Sequence, residues 1–151
     1  MSEVSVSKSL PQWIGDHLRR YIETNGAEGH MWDSAVVGGP GPIPTLLLTT
    51  TGRRSGKPII MPLIYGEANG SYVIVASKGG APQHPGWYLN LVAQPTVEVQ
   101  VLADRFRAKA RTATGEERAR LWKMMAAIYP PYDQYQAKTD REIPVVVLDR
   151  M

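Results

Sequence analysis

The sequence predicts an α+β fold in which a mainly antiparallel, barrel-like sheet is flanked by two long helices. Two observations carry this. Between residues 43 and 149 about six segments run apolar or alternate with the two-residue period of a strand, and glycine, proline, asparagine or aspartate stands at their turns. The stretches 9–24 and 114–128 instead repeat their apolar residues at helical spacing. Hairpin-type turns join successive strands, which favours antiparallel pairing and a closed or partly closed sheet.

At 151 residues the chain suits one domain with a real core, and 43% hydrophobic with 21% charged residues is ordinary globular usage. The expected plan is an amphipathic helix with a flexible lead over 1–24 and a single domain over 25–151. No cysteine is present, which excludes disulfides, thiolate metal sites and a cysteine nucleophile. The N-terminal residues lack the apolar core of a signal peptide, and no apolar run is long enough to cross a bilayer, so the expected home is cytoplasmic. The net charge of +3 and pI ≈ 9.3 favour an anionic ligand, an acidic membrane surface or nucleic acid.

In the first helix (9–24) Trp13, Ile14, Leu18, Tyr21 and Ile22 fall near one face, Asp16, Arg19 and Arg20 largely on the other, and Pro11 suits the first turn. That apolar face either packs on the domain or meets lipid or a partner. Residues 25–42, NGAEGHMWDSAVVGGPGP, are rich in turn formers and predict a loop or crossover. IPTLLLTTT (43–51) and KPIIMPLIYGE (57–67) predict strands joined by the turn GRRSG, and SYVIVAS (71–77) follows the turn signal Ala68-Asn69-Gly70. A short helical segment is expected near PGWYLNL.

PTVEVQVLA (95–103) buries Val97, Val99 and Val101 on one face; after Asp104, Arg105, Arg107, Lys109 and Arg111 alternate with Phe106, Ala108 and Ala110. That basic strand face is read as solvated, because no aromatics interleave for base stacking, and nucleic acid is not expected. Thr114 and Glu117 fit a capping box opening a helix to about Ile128, ended by Pro130 and Pro131. REIPVVVLD (141–149) is a last strand buried on both sides.

GRRSGKP is no phosphate loop: three residues separate Gly52 and Gly56 where four are needed, and proline follows the lysine. His17, His30 and His84 share no metal-ligand spacing, and no serine elbow appears. Two polar junctions remain. TTTGRRSGKP supplies Arg53, Arg54 and Ser55, and ASKGGAPQHPGWYLN supplies Ser77, Lys78 and the open N–H groups of Gly79 and Gly80. If the two meet at one sheet end they can hold a phosphate or polycarboxylate through charge-assisted hydrogen bonds; the alternative is two charged turns on a basic protein. Trp87, Tyr88, Tyr129, Tyr132 and Tyr135 offer aromatic faces for a flat ring or for packing.

Taken together, LLLTTTGRRSGKPIIMPLIY, YVIVASKGGAPQHPGWYLNL, TATGEERARLW, IYPPYDQYQ and TDREIPVVVL resemble the deazaflavin (coenzyme F420)-dependent nitroreductases, also described as reduced-F420-dependent quinone reductases of actinobacteria. The resemblance spans roughly residues 43–148. It implies a split β-barrel of the flavin-reductase-like, FMN-binding type and a ligand, coenzyme F420, with a phosphate and an oligoglutamate tail. It places cofactor contacts at Arg53, Arg54 and Ser55, at Ile59, Ile60, Met61, Pro62, Leu63 and Ile64, and at Val75, Ala76, Ser77 and Lys78. Further contacts fall at Gly86, Trp87, Tyr88, Leu89 and Asn90 and at Tyr132. It further implies an oxidoreductase passing a hydride to a quinone-like or nitroaromatic acceptor, with Ser77, Tyr129, Tyr132 and Tyr135 as candidate catalytic residues. FMN in place of F420, or a non-catalytic deazaflavin carrier, are the alternatives. Peripheral membrane contact through the first helix is a further expectation. Two departures stand out: Ile59 replaces an arginine common in relatives, and Ile64 replaces a substrate-side tyrosine of the nitroreductase, with Tyr65 next to it.

Overall fold

The structure is a computed structural model and describes residues 12–151. Pro11 and the lead before it lie outside the described residues. Helix α1 (Gln12–Thr24) comes first, then strand β1 (Met31–Asp33), a 3-10 turn over Ser34–Val37, and strand β2 (Pro42–Thr51). Strands β3 (Pro58–Ile64), β4 (Gly66–Ala68) and β5 (Ser71–Val75) follow, then helix α2 (Gly86–Ala93) and strands β6 (Thr96–Val101) and β7 (Asp104–Thr112). Helices α3 (Gly115–Ile128) and α4 (Pro131–Ala137) precede the last strand, β8 (Val145–Arg150).

Every strand pairing is antiparallel, and the order β1-β2-β6-β7-β8-β5-β4 curls the sheet into a barrel. Its two ends are joined by one stretch of chain. The segment expected as a single strand over 57–67 divides at Tyr65: β3 pairs with β2, and β4 changes partner to pair with β5. The other edge of β3 pairs with no strand among the described residues, so the barrel is split there.

Strand alternation sorts the side chains. Leu46, Leu48, Ile74, Val97, Val99, Val146 and Leu148 fill the barrel, with Trp87 and Leu91 of α2 closing one end. On the outside, Val73, Val75, Val145 and Val147 pack under Leu121 and Met125 of α3 and against Tyr129 and Tyr132. Thus β8 is buried on both faces, as its continuous apolar run requires. Helix α1 lies on a third surface, where Leu18 and Tyr21 bury against Leu47 and Ile60. The Tyr21 hydroxyl donates to Thr45 O at 3.0 Å and accepts from Leu102 N at 2.8 Å, tying the helix to β2 and to the turn between β6 and β7.

Four expectations need correction. Residues 25–42 are not merely a loop: Met31–Asp33 adds a strand to β2, in register Trp32 to Ile43. The capping box does not form, since Thr114 makes no side-chain cap bond and Glu117 pairs with Arg111 at 2.6 Å, a partner brought by β7. Pro130 and Pro131 end α3 but start α4, Pro131 serving as its first residue, where a missing N–H costs nothing. The final strand begins at Val145; Arg141 and Glu142 before it are spent on other contacts. The outer face of β7 is solvated, and its arginines are partly paired: Arg105 reaches Asn25, and Arg111 reaches Glu117 and Asp149.

Candidate functional site

A cleft of about 320 Å³ opens along the unpaired edge of β3. Met61, Pro62, Leu63 and Ile64 of β3 form one wall, and their outward backbone N–H and C=O groups have no strand to pair with. Across the split stand Val75, Ser77, Lys78 and Gly79. Neither the Ser77 hydroxyl nor the backbone N–H of Ser77 or Lys78 has a partner among the described residues.

The third wall is aromatic. Tyr129 and Tyr135 share a hydrogen bond of 2.9 Å between their hydroxyls, and Tyr132 packs edge-on to Tyr129 at 4.9 Å between ring centres. Burial, then the bond to Tyr135, pushes the Tyr129 phenol well above its ordinary range; burial does the same to Tyr132. Both stay protonated and remain donors at neutral pH. Tyr132 is only 4% exposed, yet its hydroxyl has no protein partner among the described residues and its ring lines the cleft. Among the described residues only Arg118 Nε is a fully buried side-chain polar atom without a hydrogen-bond partner, so the Tyr132 hydroxyl is not sealed off and is free to donate to a ligand in the cleft.

The roof comes from α1 and the segment after it: Trp13, Ile14 and His17 of α1, Trp32 of the edge strand β1, and Val37. Trp13 and Trp32 stack with ring centres 5.7 Å apart and planes 6° from parallel. His17 is oriented by a 2.7 Å bond from Nε2 to Gly29 O, and Thr45 Oγ1 donates to the same carbonyl at 2.7 Å.

At the remaining end Pro85 and Trp87 reach the cleft, and between them Gly86 opens α2. Arg53 sits here: Nη1 donates to Asn90 Oδ1 at 2.8 Å and to Gly86 O at 3.4 Å, while its backbone N–H donates to Asn90 Oδ1 at 3.2 Å. Asn90 is itself fixed by Thr50 Oγ1 at 3.2 Å. The basic turn is closed by Gly56 N–H on Gly52 O and by Lys57 N–H on Ser55 Oγ. Arg54 and Lys57 are exposed and make no ion pair among the described residues. An arginine beside the first N–H groups of a helix, as Arg53 is beside α2, is a combination that suits an anion. The two glycine-containing junctions therefore meet at Arg53 and Gly86, beside Pro85 and Trp87 of the cleft, although no residue of the basic turn lines the cleft itself.

Of the residues anticipated from sequence, Met61 to Ile64, Val75, Ser77, Lys78, Trp87, Tyr129, Tyr132 and Tyr135 share this cleft, and Arg53, Gly86 and Asn90 stand at its end. Others stand apart. Ile60 is buried under α1; Ile59 packs beneath the basic turn near Gly52; Ala76 is buried in the barrel. Tyr88 turns to Thr112, with 2.9 Å between hydroxyl oxygens, and Leu89 faces outward. Tyr65 does not stand in for the missing tyrosine at 64: it points into the core, its hydroxyl 2.8 Å from His30 Nε2, and burial pushes its pKa up to about 12. The roof was missed. Trp13 carried the signal of an apolar face for packing or for lipid or a partner, with nothing to tie it to a cleft, and Trp32 lay in a segment that reads as turns.

The sequence profile described as F420H(2)-dependent quinone reductase matches residues 13–150. The chain belongs to the F420H(2)-dependent quinone reductase family. An F420H(2)-dependent quinone reductase of Mycobacterium tuberculosis (strain ATCC 25618 / H37Rv) is 40% identical over 155 residues, 97% of this chain and 99% of that protein. A solved structure described as an F420-H2 dependent reductase, FDR-A, is 50% identical and superposes with a TM-score of 0.65, covering 70% of this chain and 93% of that one. A heme storage protein of Vibrio cholerae, HutZ, is 15% identical with a TM-score of 0.55, over 71% of this chain and 81% of its own, and shares the fold alone. Family membership agrees with the expected split barrel and with the expected cofactor class.

Proposed function

We propose that the chain is an F420-dependent oxidoreductase that reduces a quinone-like acceptor. The observation that carries this reading is the set of unused donors around an apolar, aromatic-walled cleft, with a basic turn beside its Pro85–Trp87 end. The open edge of β3, Ser77, Lys78 and the Tyr132 hydroxyl suit the polar rim of a deazaflavin ring, and Arg53, Arg54 and the start of α2 suit its phosphate and glutamate tail. Reduced deazaflavin, when bound, supplies a hydride from its ring.

The protein's own contribution is orientation, exclusion of water and hydrogen bonds to the acceptor oxygen where negative charge develops. Ser77, Tyr132 and the linked pair Tyr129–Tyr135 are the groups for this, all neutral donors. The roof of Trp13, Trp32 and Val37 suits an apolar acceptor. Ile64 leaves the wall without a phenol there, and Tyr65 faces the other way, which supports quinones over bulky nitroimidazoles as acceptors. Titrating the chain into deazaflavin and, separately, FMN tests the cofactor: preferential binding of deazaflavin supports the reading, and tighter FMN binding contradicts it. Tight deazaflavin binding without acceptor-dependent oxidation is the outcome for a carrier.

Peripheral contact with a lipid surface belongs to the same proposal. No described helix is long and apolar enough to cross a membrane. Trp13, Met31, Val36 and Val37 nevertheless expose apolar surface beside the roof, and Arg19 and Arg20 are exposed on the same helix as Trp13. Flotation with anionic liposomes tests this: loss of flotation in Met31→Ser with Val36→Ser supports it, and no flotation by the unaltered chain contradicts it.

A further inference from the structure

The segment TDREIPVVVL contains an arginine that the reading above does not use. Arg141 precedes β8, and its half-buried guanidinium donates to Ser77 O through Nη2 at 2.8 Å, to Ala76 O through Nη1 at 3.3 Å and to Ala81 O through Nε at 2.8 Å. Nη1 also reaches His84 Nδ1 at 3.0 Å. It therefore grips the chain on both sides of three consecutive left-handed residues, Lys78 (φ 46°), Gly79 (φ 63°) and Gly80 (φ 82°). Lysine seldom adopts that conformation, and it persists only where the surroundings impose it. Gly80 is locked from the other side, since a Cβ there lies 2.7 Å from the Tyr135 carbonyl oxygen.

Peptide geometry gives this grip a direction. In a trans peptide the N–H points opposite the C=O, so holding the carbonyls of Ala76 and Ser77 turns the N–H groups of Ser77 and Lys78 away from Arg141. Arg141 is not on the cleft wall, whereas Ser77 and Lys78 are. Neither N–H has an acceptor among the described residues. The guanidinium has only neutral partners there: neighbouring Glu142 pairs with Arg118 at 3.3 Å instead.

We propose that Arg141 is a positioning residue that fixes the 76–81 bend and so aims the N–H groups of Ser77 and Lys78 into the cleft as a donor pair for a negatively charged oxygen of the bound ligand. The inference rests on the F420 reading for the identity of that ligand. The test compares unaltered protein with Arg141→Gln and Arg141→Lys, all well below their melting temperatures. In ligand-free protein, tryptic cleavage after Lys78 reads the bend directly; deazaflavin titration reads the donor pair. The expected result is cleavage about tenfold faster and deazaflavin Kd about tenfold higher in Arg141→Gln, with Arg141→Lys recovering part of both because it keeps one charged donor. Unchanged cleavage overturns the positioning role. Faster cleavage with unchanged Kd also overturns it, leaving a structural clip. Absence of deazaflavin binding by the unaltered protein contradicts the F420 reading instead, a result distinct from either.

Discussion

Tyr132 concentrates the case at the scale of single residues, because the residue is only 4% exposed and the described protein supplies no acceptor for its hydroxyl. Replacing it by phenylalanine keeps the packing against Tyr129 and removes one donor. With a net hydrogen bond contributing about 1 kcal/mol, kcat/KM for menadione falls about five- to tenfold while melting is unchanged or slightly raised. Equal activity in Tyr132→Phe contradicts the role. Arg53 and Arg54 separate in a different way. Arg54 makes no ion pair with the described protein, so Arg54→Ala weakens deazaflavin binding, most visibly at low salt, without lowering stability. Arg53 also holds Asn90 and Gly86, so Arg53→Ala weakens binding about tenfold or more and lowers melting as well. Isothermal titration at two salt concentrations, beside thermal melts, distinguishes the two. Sequence chemistry identified these arginines because charge beside glycine is a local signal. It could not show that Tyr65 points inward, because the direction depends on β3 breaking at that residue.

Helix α1 shows how elements divide the labour. Leu18 and Tyr21 anchor it, while Trp13, Ile14 and His17, on its N-terminal side, roof the cleft. Leu18→Ala removes a side chain that is 1% exposed, and a loss of about 2–4 kcal/mol is expected in denaturant unfolding. Trp13→Ala acts elsewhere: it raises the KM for menadione severalfold and leaves deazaflavin Kd within about twofold, and an unchanged KM contradicts the roof's part in holding the acceptor. The period of α1 was legible in the sequence, since Leu18 and Tyr21 recur at helical spacing. Its destination was not, because β1, which brings Trp32 to stack on Trp13, is three residues long and sits among turn formers. The capping box failed for a similar reason: β7 holds Arg111, six residues before Glu117, where its guanidinium donates to both carboxylate oxygens, and a charged partner outweighs a cap.

At the scale of the whole molecule, one partner exchange accounts for both the barrel and its site. β3 and β4 are continuous in sequence but pair with opposite ends of the sheet, and the gap this leaves beside β3 is the cleft. The antiparallel plan was legible from alternation and turn residues; the split was not, because KPIIMPLIYGE reads as one uninterrupted strand. Closure is reinforced where β7 and β8 meet α3, through Ser71 and Arg111 on Asp149 and Arg111 on Glu117. The bond from Ser71, then Arg111, holds the Asp149 carboxyl below its ordinary value. A depressed folded-state pKa stabilises the fold above the unfolded pKa, and this contribution disappears as pH falls through the folded value. Asp149→Asn is therefore expected to lower the melting temperature at pH 7 and to converge with the unaltered protein as pH falls through the depressed folded-state value of that carboxyl; a deficit that stays equal down the whole acid limb contradicts the linkage. The central claim, that this split barrel transfers a hydride from reduced deazaflavin to a quinone, is tested most directly by one assay. Reduced F420 is mixed anaerobically with the protein and menadione, and the return of the oxidised cofactor's absorbance is followed. Saturable, menadione-dependent oxidation that falls in Tyr132→Phe is the predicted result, and reduced F420 that is bound but never oxidised above the protein-free rate contradicts it.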